Sequence, residues 1–390
     1  MTRRVPPLVP RMREHASSVF GEMSALAVAT GSVNLGQGFP DTDGPDVVKE
    51  SAIRAIREGR GNQYPPAHGL PELRRAIAEH QRRFYGLDVD PDTEVLVTAG
   101  ATEAIAATVL ALTGPGDEVI VLEPYYDSYA ASIALARATR VTVPLRFPDY
   151  ALDVDALAAA FSPRTRMLLI NSPQNPTGRV LTRDELAQVA RLAIEHDVLV
   201  VTDEVYEHLV FSGHRHVPLA TLPGMADRTL TISSGGKTFS ATGWKIGWLH
   251  GRADLIDAVT TVKQFLTYVS GGPFQPAIAL GLGLDDAVYA GLASRLQQGR
   301  DLLIEGLTEV GFEVSVPAAT YFVVADAAPL GFEDGLDFCR RLPELAGVVA
   351  VPVQVFHDDV TAARSLVRFA FCKRPEVLRA AVTRLHRLRP

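Results

Sequence analysis

Cysteine is nearly missing from this chain. Cys339 and Cys372 are the two among 390 residues. They give neither a disulfide framework nor a metal-ligand pattern, and so small a thiol count fits a reducing cytoplasm. Basic runs are missing too, and the net charge is −7. Both features argue against nucleic acid or an anionic membrane as partner. The apolar stretches are short and have charges nearby, so no spanning helix is indicated. Pro6, Pro7, Pro10 and Arg11 follow Arg3 and Arg4 and interrupt what a signal peptide would need as its apolar core. There is no internal repeat and no low-complexity segment. No Gly-x-Gly-x-x-Gly follows the first strand of the sheet, and Gly281-Leu282-Gly283 is too little to stand in for it. What is present is a globular composition, 47% hydrophobic and 21% charged. It is long enough for one large domain and a smaller one.

The organisation changes twice along the chain. A Pro/Arg-rich start leads into a helical stretch over 17–30, and the loop Val33-Asn34-Leu35-Gly36-Gln37-Gly38-Phe39-Pro40-Asp41 follows. Helical patterns cover 46–58 and 69–84, the second with Leu70, Leu73, Ile77 and Phe84 on one side. From residue 94 short apolar runs alternate with helical stretches. Strands are predicted at 94–98, 118–122, 140–144, 166–170, 198–202, 229–233 and 247–250, with helices such as 103–112 and 183–196 between them. Near-continuous Val/Leu/Ile runs of this kind belong to strands covered on both faces. The series is βαβ, hence an α/β domain with a largely parallel sheet of seven strands. After about residue 280 the pattern is mixed. A long helix is predicted over 285–310, strands at 312–316, 321–325, 349–353 and 366–372, and a closing helix over 376–388. These shifts divide the chain into 1–44, an arm and part of a small domain, 45–284, a large domain, and 285–390, a smaller α+β domain.

In an open α/β sheet, ligands sit beyond the carboxyl ends of the strands, and the sequence places its unusual residues there. Lys237 follows the turn Ser234-Gly235-Gly236 after one strand. Small residues on both sides let a bulky group approach the backbone. A desolvated lysine in such a cleft becomes a nucleophilic amine, which is what a Schiff base requires. A surface lysine after a glycine turn is the bland alternative. Ser234 and Lys245 can offer a hydroxyl and a cation to one phosphate. Gly100-Ala101-Thr102 opens a helix, where free N–H groups and the dipole suit an anion; Thr102 as a plain N-cap is the alternative. Asp203 ends an apolar strand, where a carboxylate is costly unless it meets a cation. Arg368 is flanked by apolar strand residues, and its planar fork suits a carboxylate. Asn175 sits in the loop 171–178, held by Pro173, Pro176 and Gly178. Gly213-His214-Arg215-His216 lacks ligand spacing and reads as an exposed loop.

The segment 231–248, with its Thr-Phe-Ser-Ala-Thr-Gly-Trp-Lys wording, resembles the cofactor-lysine segment of fold type I pyridoxal-phosphate-dependent aminotransferases. It is similar in particular to the kynurenine aminotransferase and cysteine-conjugate β-lyase branch, and the similarity runs through nearly the whole chain. The resemblance implies the fold type I architecture and a homodimer with active sites at the subunit interface. It implies Lys237 as the residue that holds pyridoxal 5′-phosphate and moves the α-proton. It implies Asp203 on the pyridinium nitrogen, Asn175 and Tyr206 on the 3-oxygen, and Tyr126 stacked on the ring. Gly100, Ala101, Thr102, Ser234 and Lys245 would hold the phosphate, with Tyr64 reaching the phosphate of the neighbouring subunit. Arg368 would take the substrate's α-carboxylate, and Gly38 would line the substrate pocket through its backbone. Lysine at 245 departs from the arginine of aspartate aminotransferases and agrees with the kynurenine branch. No clear arginine serves a second substrate carboxylate, so aspartate specificity is unsupported.

The expected reaction moves an amino group from an L-amino acid to a 2-oxo acid, without nucleic acid, membrane or metal. Phe39, Tyr64, Tyr125 and residues 268–273 are expected to shape the side-chain pocket. The segments 62–66, 203–211 and 264–276, with Phe371-Cys372-Lys373-Arg374, resemble actinobacterial N-succinyl-diaminopimelate aminotransferases. The extra carboxylates of such a substrate need donors far from Arg368, and Lys263, Lys373 and Arg374 are the cations at hand. Kynurenine, glutamine or methionine transamination and cysteine-conjugate β-elimination are the alternatives. A regulatory protein that keeps the fold without turnover is a further one, but the chain has neither an added DNA-binding domain nor a lost lysine.

Overall fold

The computed structural model describes residues 8–16 and 19–389. The first two positions of the helix expected from residue 17 lie outside the described residues; from there it runs Val19–Thr30. β1 (Val33–Asn34) follows. The large sheet is built from β2 (Val95–Ala99), β3 (Glu118–Glu123), β4 (Thr139–Pro144), β5 (Thr165–Asn171), β6 (Leu199–Asp203), β7 (Thr229–Ser234) and β8 (Ile246–His250). Each begins and ends within one residue of the expected bounds. Their order across the sheet is β2-β8-β7-β6-β5-β3-β4, with β8 antiparallel to both neighbours and the other pairs parallel.

The apolar runs explain this sheet. On β3, Val119 and Val121 join one buried cluster and Ile120 and Leu122 the other. A strand alternates its side chains between two faces, so both faces of β3 are core. The helices Gly100–Leu112, Asp127–Ala136 and Ala253–Lys263 cover one face, and Arg183–Glu195 the other. Arg183–Glu195 starts with a reciprocal Thr182/Glu185 capping box.

The remaining strands are β9 (Glu313–Ser315), β10 (Phe322–Asp326), β11 (Val348–Val349), β12 (Val351–Pro352) and β13 (Leu366–Ala370). Four of them form the antiparallel sheet β12-β13-β10-β9. The strand expected over 349–353 is divided: β11 pairs with β1 in parallel, and β12 pairs with β13. The N-terminal segment is thereby bound to the smaller sheet. Leu35 N–H donates to Val349 (2.9 Å), and Leu35 accepts from Ala370 N–H (2.6 Å). The long helix Asp286–Val310 packs against Pro375–Leu385, and a Cβ at Gly306 would meet Val382 at 2.4 Å.

Three sequence readings need correction. The helix expected from 103 starts at Gly100, so Thr102 is not a cap but the third helical residue. Gly335–Ala346 is a helix that the sequence reading did not find, because Pro343 inside it looks like a break. His216 is buried and bonded to Glu204 at 2.8 Å; His214 beside it is exposed as expected. Among the described residues no single helix is long and apolar enough to cross a membrane.

Candidate active site

Parallel pairing brings the ends of three strands into line. Asn171 of β5 stands opposite Asp203 of β6, and Asp203 opposite Ile232 of β7. Beyond these ends lies a cavity of about 480 Å³. Gly38, Gly100, Ala101, Thr102, Tyr126, Asn175, Asp203, Tyr206, Ser234, Lys237, Lys245 and Arg368 all line it. Of the expected site residues only Tyr64 lies elsewhere. It is 82% exposed and packs edge-on to Tyr268 at 5.7 Å.

One end of the cavity is built to receive an anion. Gly100, Ala101 and Thr102 form the first turn of a thirteen-residue helix, whose leading N–H groups have no intrahelical acceptor. Gly100 has φ +77°. A Cβ there would stand 3.1 Å from Lys245 Nζ, so glycine is needed for both the turn and the approach of the lysine. Lys245 is itself in the left-handed region (φ 54°), a conformation that is costly outside glycine. Its pKa is lowered, first by burial and then by the charge of Lys237.

At the centre, Ser234 ends β7 and the short turn Gly235–Thr238 presents Lys237. Lys237 Nζ donates to the Tyr321 hydroxyl at 2.9 Å and lies 5.7 Å from the centre of the Tyr206 ring. Asp203 is 4% exposed. Its Oδ2 accepts from the Tyr129 hydroxyl at 2.6 Å. Burial raises its carboxyl from 3.8 to about 6, against the pull of that hydrogen bond.

At the other end, Arg368 of β13 in the small sheet is buried. It donates to Asn175 Oδ1 (2.8 Å) and Gly36 O (3.1 Å), and its guanidinium lies 3.9 Å from the Phe322 ring centre. Burial lowers its pKa to about 10. Its Nε–H has no protein partner. Asn175 is fixed by its own N–H, which donates to Asn171 Oδ1 at 2.7 Å, while Asn171 Nδ2 donates to Asp203 O at 2.7 Å. Gly38 has no room for a side chain, since a Cβ would come within 2.3 Å of Phe322.

This chain's own cavity holds some of the residues expected to shape the side-chain pocket. Phe39 lines the cavity, but Tyr125 turns away, its hydroxyl donating to Asp358 with Arg140 over its ring. Residues 268–273 are also absent from this wall and pack near Tyr64 and Gly61. The sequence reading missed Tyr129, Tyr321 and Phe322. Tyr129 stands three residues after Tyr126, one helical turn on, which was the available signal. Tyr321 meets Lys237 across 84 positions and leaves no local trace.

Residues 30–385 match the family described as aminotransferase class I and II. The chain belongs to that family and is a pyridoxal-phosphate-dependent aminotransferase. More particularly, it is 55% identical over 388 residues to the probable N-succinyldiaminopimelate aminotransferase of Mycobacterium tuberculosis, covering 97% of each chain. The solved structure of the N-succinyldiaminopimelate aminotransferase from that organism superposes with a TM-score of 0.95, over 98% of this chain and 100% of that one. The methionine aminotransferase of Escherichia coli is 37% identical over 384 residues, 98% of this chain and 99% of that one. Mouse kynurenine–oxoglutarate transaminase 3 is 38% identical over 393 residues, 94% of this chain and 86% of its own.

Proposed function

We propose that this aminotransferase moves the amino group of N-succinyl-LL-diaminopimelate to 2-oxoglutarate, as a cytoplasmic homodimer. The observation that carries the reading is the 55% identity to the mycobacterial enzyme along 97% of both chains. The cavity wall supports it. Arg368 is its one arginine among the described residues, so it has a fork for an α-carboxylate and none for a second carboxylate close by, as aspartate would require. A long acylated diamino acid carries its further carboxylates past the wall. Of the cations considered for them, Lys263 is buried and donates to Ala67 O (3.0 Å) and Tyr268 O, which removes it. Arg374 faces Asp41 and Glu376. Lys373 donates to Phe39 O at 2.7 Å, but unlike Lys263 it is only half-buried; it stands 4.5 Å over the Phe39 ring, beside the wall, and is the reader we favour.

The donor set fits pyridoxal phosphate. The helix start Gly100-Ala101-Thr102, with Ser234 and Lys245, matches a phosphate, and the raised Asp203 carboxyl matches a pyridinium. A cation there would draw the carboxyl back to its ionised form. Tyr126 offers a ring face, and Asn175 and Tyr206 offer polar groups for a phenolic oxygen. Tyr64, outside this chain's own cavity, serves the partner's phosphate. Bound pyridoxal phosphate supplies the electron sink that acidifies the substrate's α-carbon. Arg368 binds the α-carboxylate through its fork, and Gly38 presses its backbone on the substrate. Lys237 Nζ holds the cofactor at rest and, once freed, carries the α-proton. We assign 45–284 to the cofactor domain and 1–44 with 285–390 to the part that carries Arg368 and Gly38.

The second reading is transamination of kynurenine, glutamine or methionine, or β-elimination from cysteine conjugates. Phe39, 49% exposed at the cavity, suits an apolar side chain. Comparing kcat/KM for both donor groups with 2-oxoglutarate decides between them. We expect the acylated diamino acid to lead. A preference of more than about tenfold, or 1.4 kcal/mol, for glutamine, methionine or kynurenine rejects it. Pyruvate and ammonia released without an oxo-acid acceptor would identify β-elimination.

A further inference from the structure

We propose that Tyr321 is a positioning residue of the transamination, its hydroxyl holding the Lys237 amine and tying it to the carbonyl of Gly38. The inference rests on Lys237 being the residue that moves the α-proton. Lys237 Nζ donates to Tyr321 Oη at 2.9 Å, and Tyr321 Oη donates to Gly38 O at 2.8 Å. The single phenolic proton is thereby given to Gly38, and a lone pair is left facing the amine. Burial pushes the Tyr321 pKa up, well beyond its usual range. The phenol stays neutral and acts as a fixed acceptor, not as an acid or base.

The tyrosine cannot easily yield. It is 1% exposed, with Tyr206 edge-on at 5.3 Å and Phe322 at 4.7 Å. A Cβ at Gly38 would lie 3.1 Å from its ring, so the ring is already packed against the Gly38 backbone. The lysine, in contrast, has room to leave. A second cavity of about 780 Å³ lies behind it, lined by Lys237, Tyr321, Thr238 and Leu209. Lys237 borders both cavities. An amino group on a flexible four-carbon stem has many rotamers open to it, and the hydroxyl selects one. The same hydroxyl links that rotamer to the segment that walls the substrate site.

Tyr321→Phe tests this, because it removes the hydroxyl and keeps the ring. We expect kcat to fall about tenfold, the loss of one well-placed hydrogen bond. KM for the donor should change by less than kcat, since Arg368 still holds the α-carboxylate while Gly38 alone is loosened. The α-deuterium isotope effect on kcat should rise, because proton transfer becomes the slower step. Amide hydrogen exchange over residues 36–39 should quicken in the unliganded enzyme, a readout independent of turnover. Borohydride labelling identifies the lysine that holds the cofactor. With the label on Lys237, an unchanged kcat, isotope effect and exchange rate overturn the positioning role. A label on another lysine overturns the reading of Lys237 itself.

Discussion

Two polar clusters lie on either side of the end of β6, and consecutive residues feed them. Asp203 faces the cavity with Lys237, Lys245 and Arg368. Glu204 faces the opposite way and accepts from His216 Nε2 at 2.8 Å. Beyond it, Glu207 accepts from Tyr85 (2.7 Å) and Ser233 (2.5 Å), and His80 meets His208 at 2.6 Å. Asp203 and Arg368 in front are as buried as Glu204, Glu207, His80 and His216 behind, and both clusters are shifted in titration. Burial drives His80 down to about 3. His216 rises although burial opposes it, because the charge and hydrogen bond of Glu204 prevail. The His80, Glu207 and His208 ligand atoms even lie within 4.8 Å of one another. Neither burial nor a shifted pKa therefore separates a site from a polar core. The carboxylates behind β6 are matched by donors from the protein. In front of it, charged groups converge on a space large enough for a ligand.

Substitutions on the cavity side should lower turnover, and those behind the strand should lower stability instead. The largest effect is expected from Lys237→Ala, about 10⁴-fold in kcat, the upper range for a positioned proton-transfer group. Reconstituted single turnovers would measure it, and near-normal rates would remove Lys237 from the chemistry. Asp203→Asn comes next, at about 10²–10³-fold in kcat with an intact fold, as for a removed electrostatic partner. An Asn variant with wild-type kcat would sink the pyridinium role. Arg368→Lys is smaller. Charge-assisted hydrogen bonds are worth about 1.5–3 kcal/mol, so KM should rise on the order of tenfold to a hundredfold. It should do so for donor and acceptor alike, since amino and oxo acids share the α-carboxylate. Unchanged KM for both would make Arg368 structural.

This division also explains what could be read from the sequence. The large sheet was legible because its strands are apolar on both faces, so each is a run of Val, Leu and Ile such as Val119-Ile120-Val121-Leu122. Asp203, Asn175 and Lys237 were legible because a parallel sheet sends its strand ends to one edge. Tyr125 and Tyr126 are adjacent, and nothing local says which one faces the cavity. That is decided by Asp358 and Arg140, far along the chain. Tyr321 and Phe322 were hidden for the same reason, since their partners Lys237 and Arg368 come from other elements. His216 read as loop because its glycine-flanked neighbours are polar, whereas its partner Glu204 is already inside.

The smallest effect on turnover is expected behind β6, and it sharpens the contrast through pH. His216→Ala leaves Glu204 buried without its cation, and breaking such a pair costs about 3–5 kcal/mol. The folded pKa of His216 is raised above its ordinary 6.5. A raised histidine stabilises the fold fully below its unfolded pKa, and the gain is lost as pH rises through the folded value. The substitution should therefore cost more stability at about pH 6 than at about pH 9, because the charge on the wild-type histidine is lost as pH rises. Urea unfolding of the two proteins at both pH values measures this. The kcat of His216→Ala should stay within about twofold of wild type, because the residue touches no group of the cavity. Equal destabilisation at both pH values would show that the pair is a neutral hydrogen bond. A large loss of kcat would show that the two clusters act as one across Asp203-Glu204.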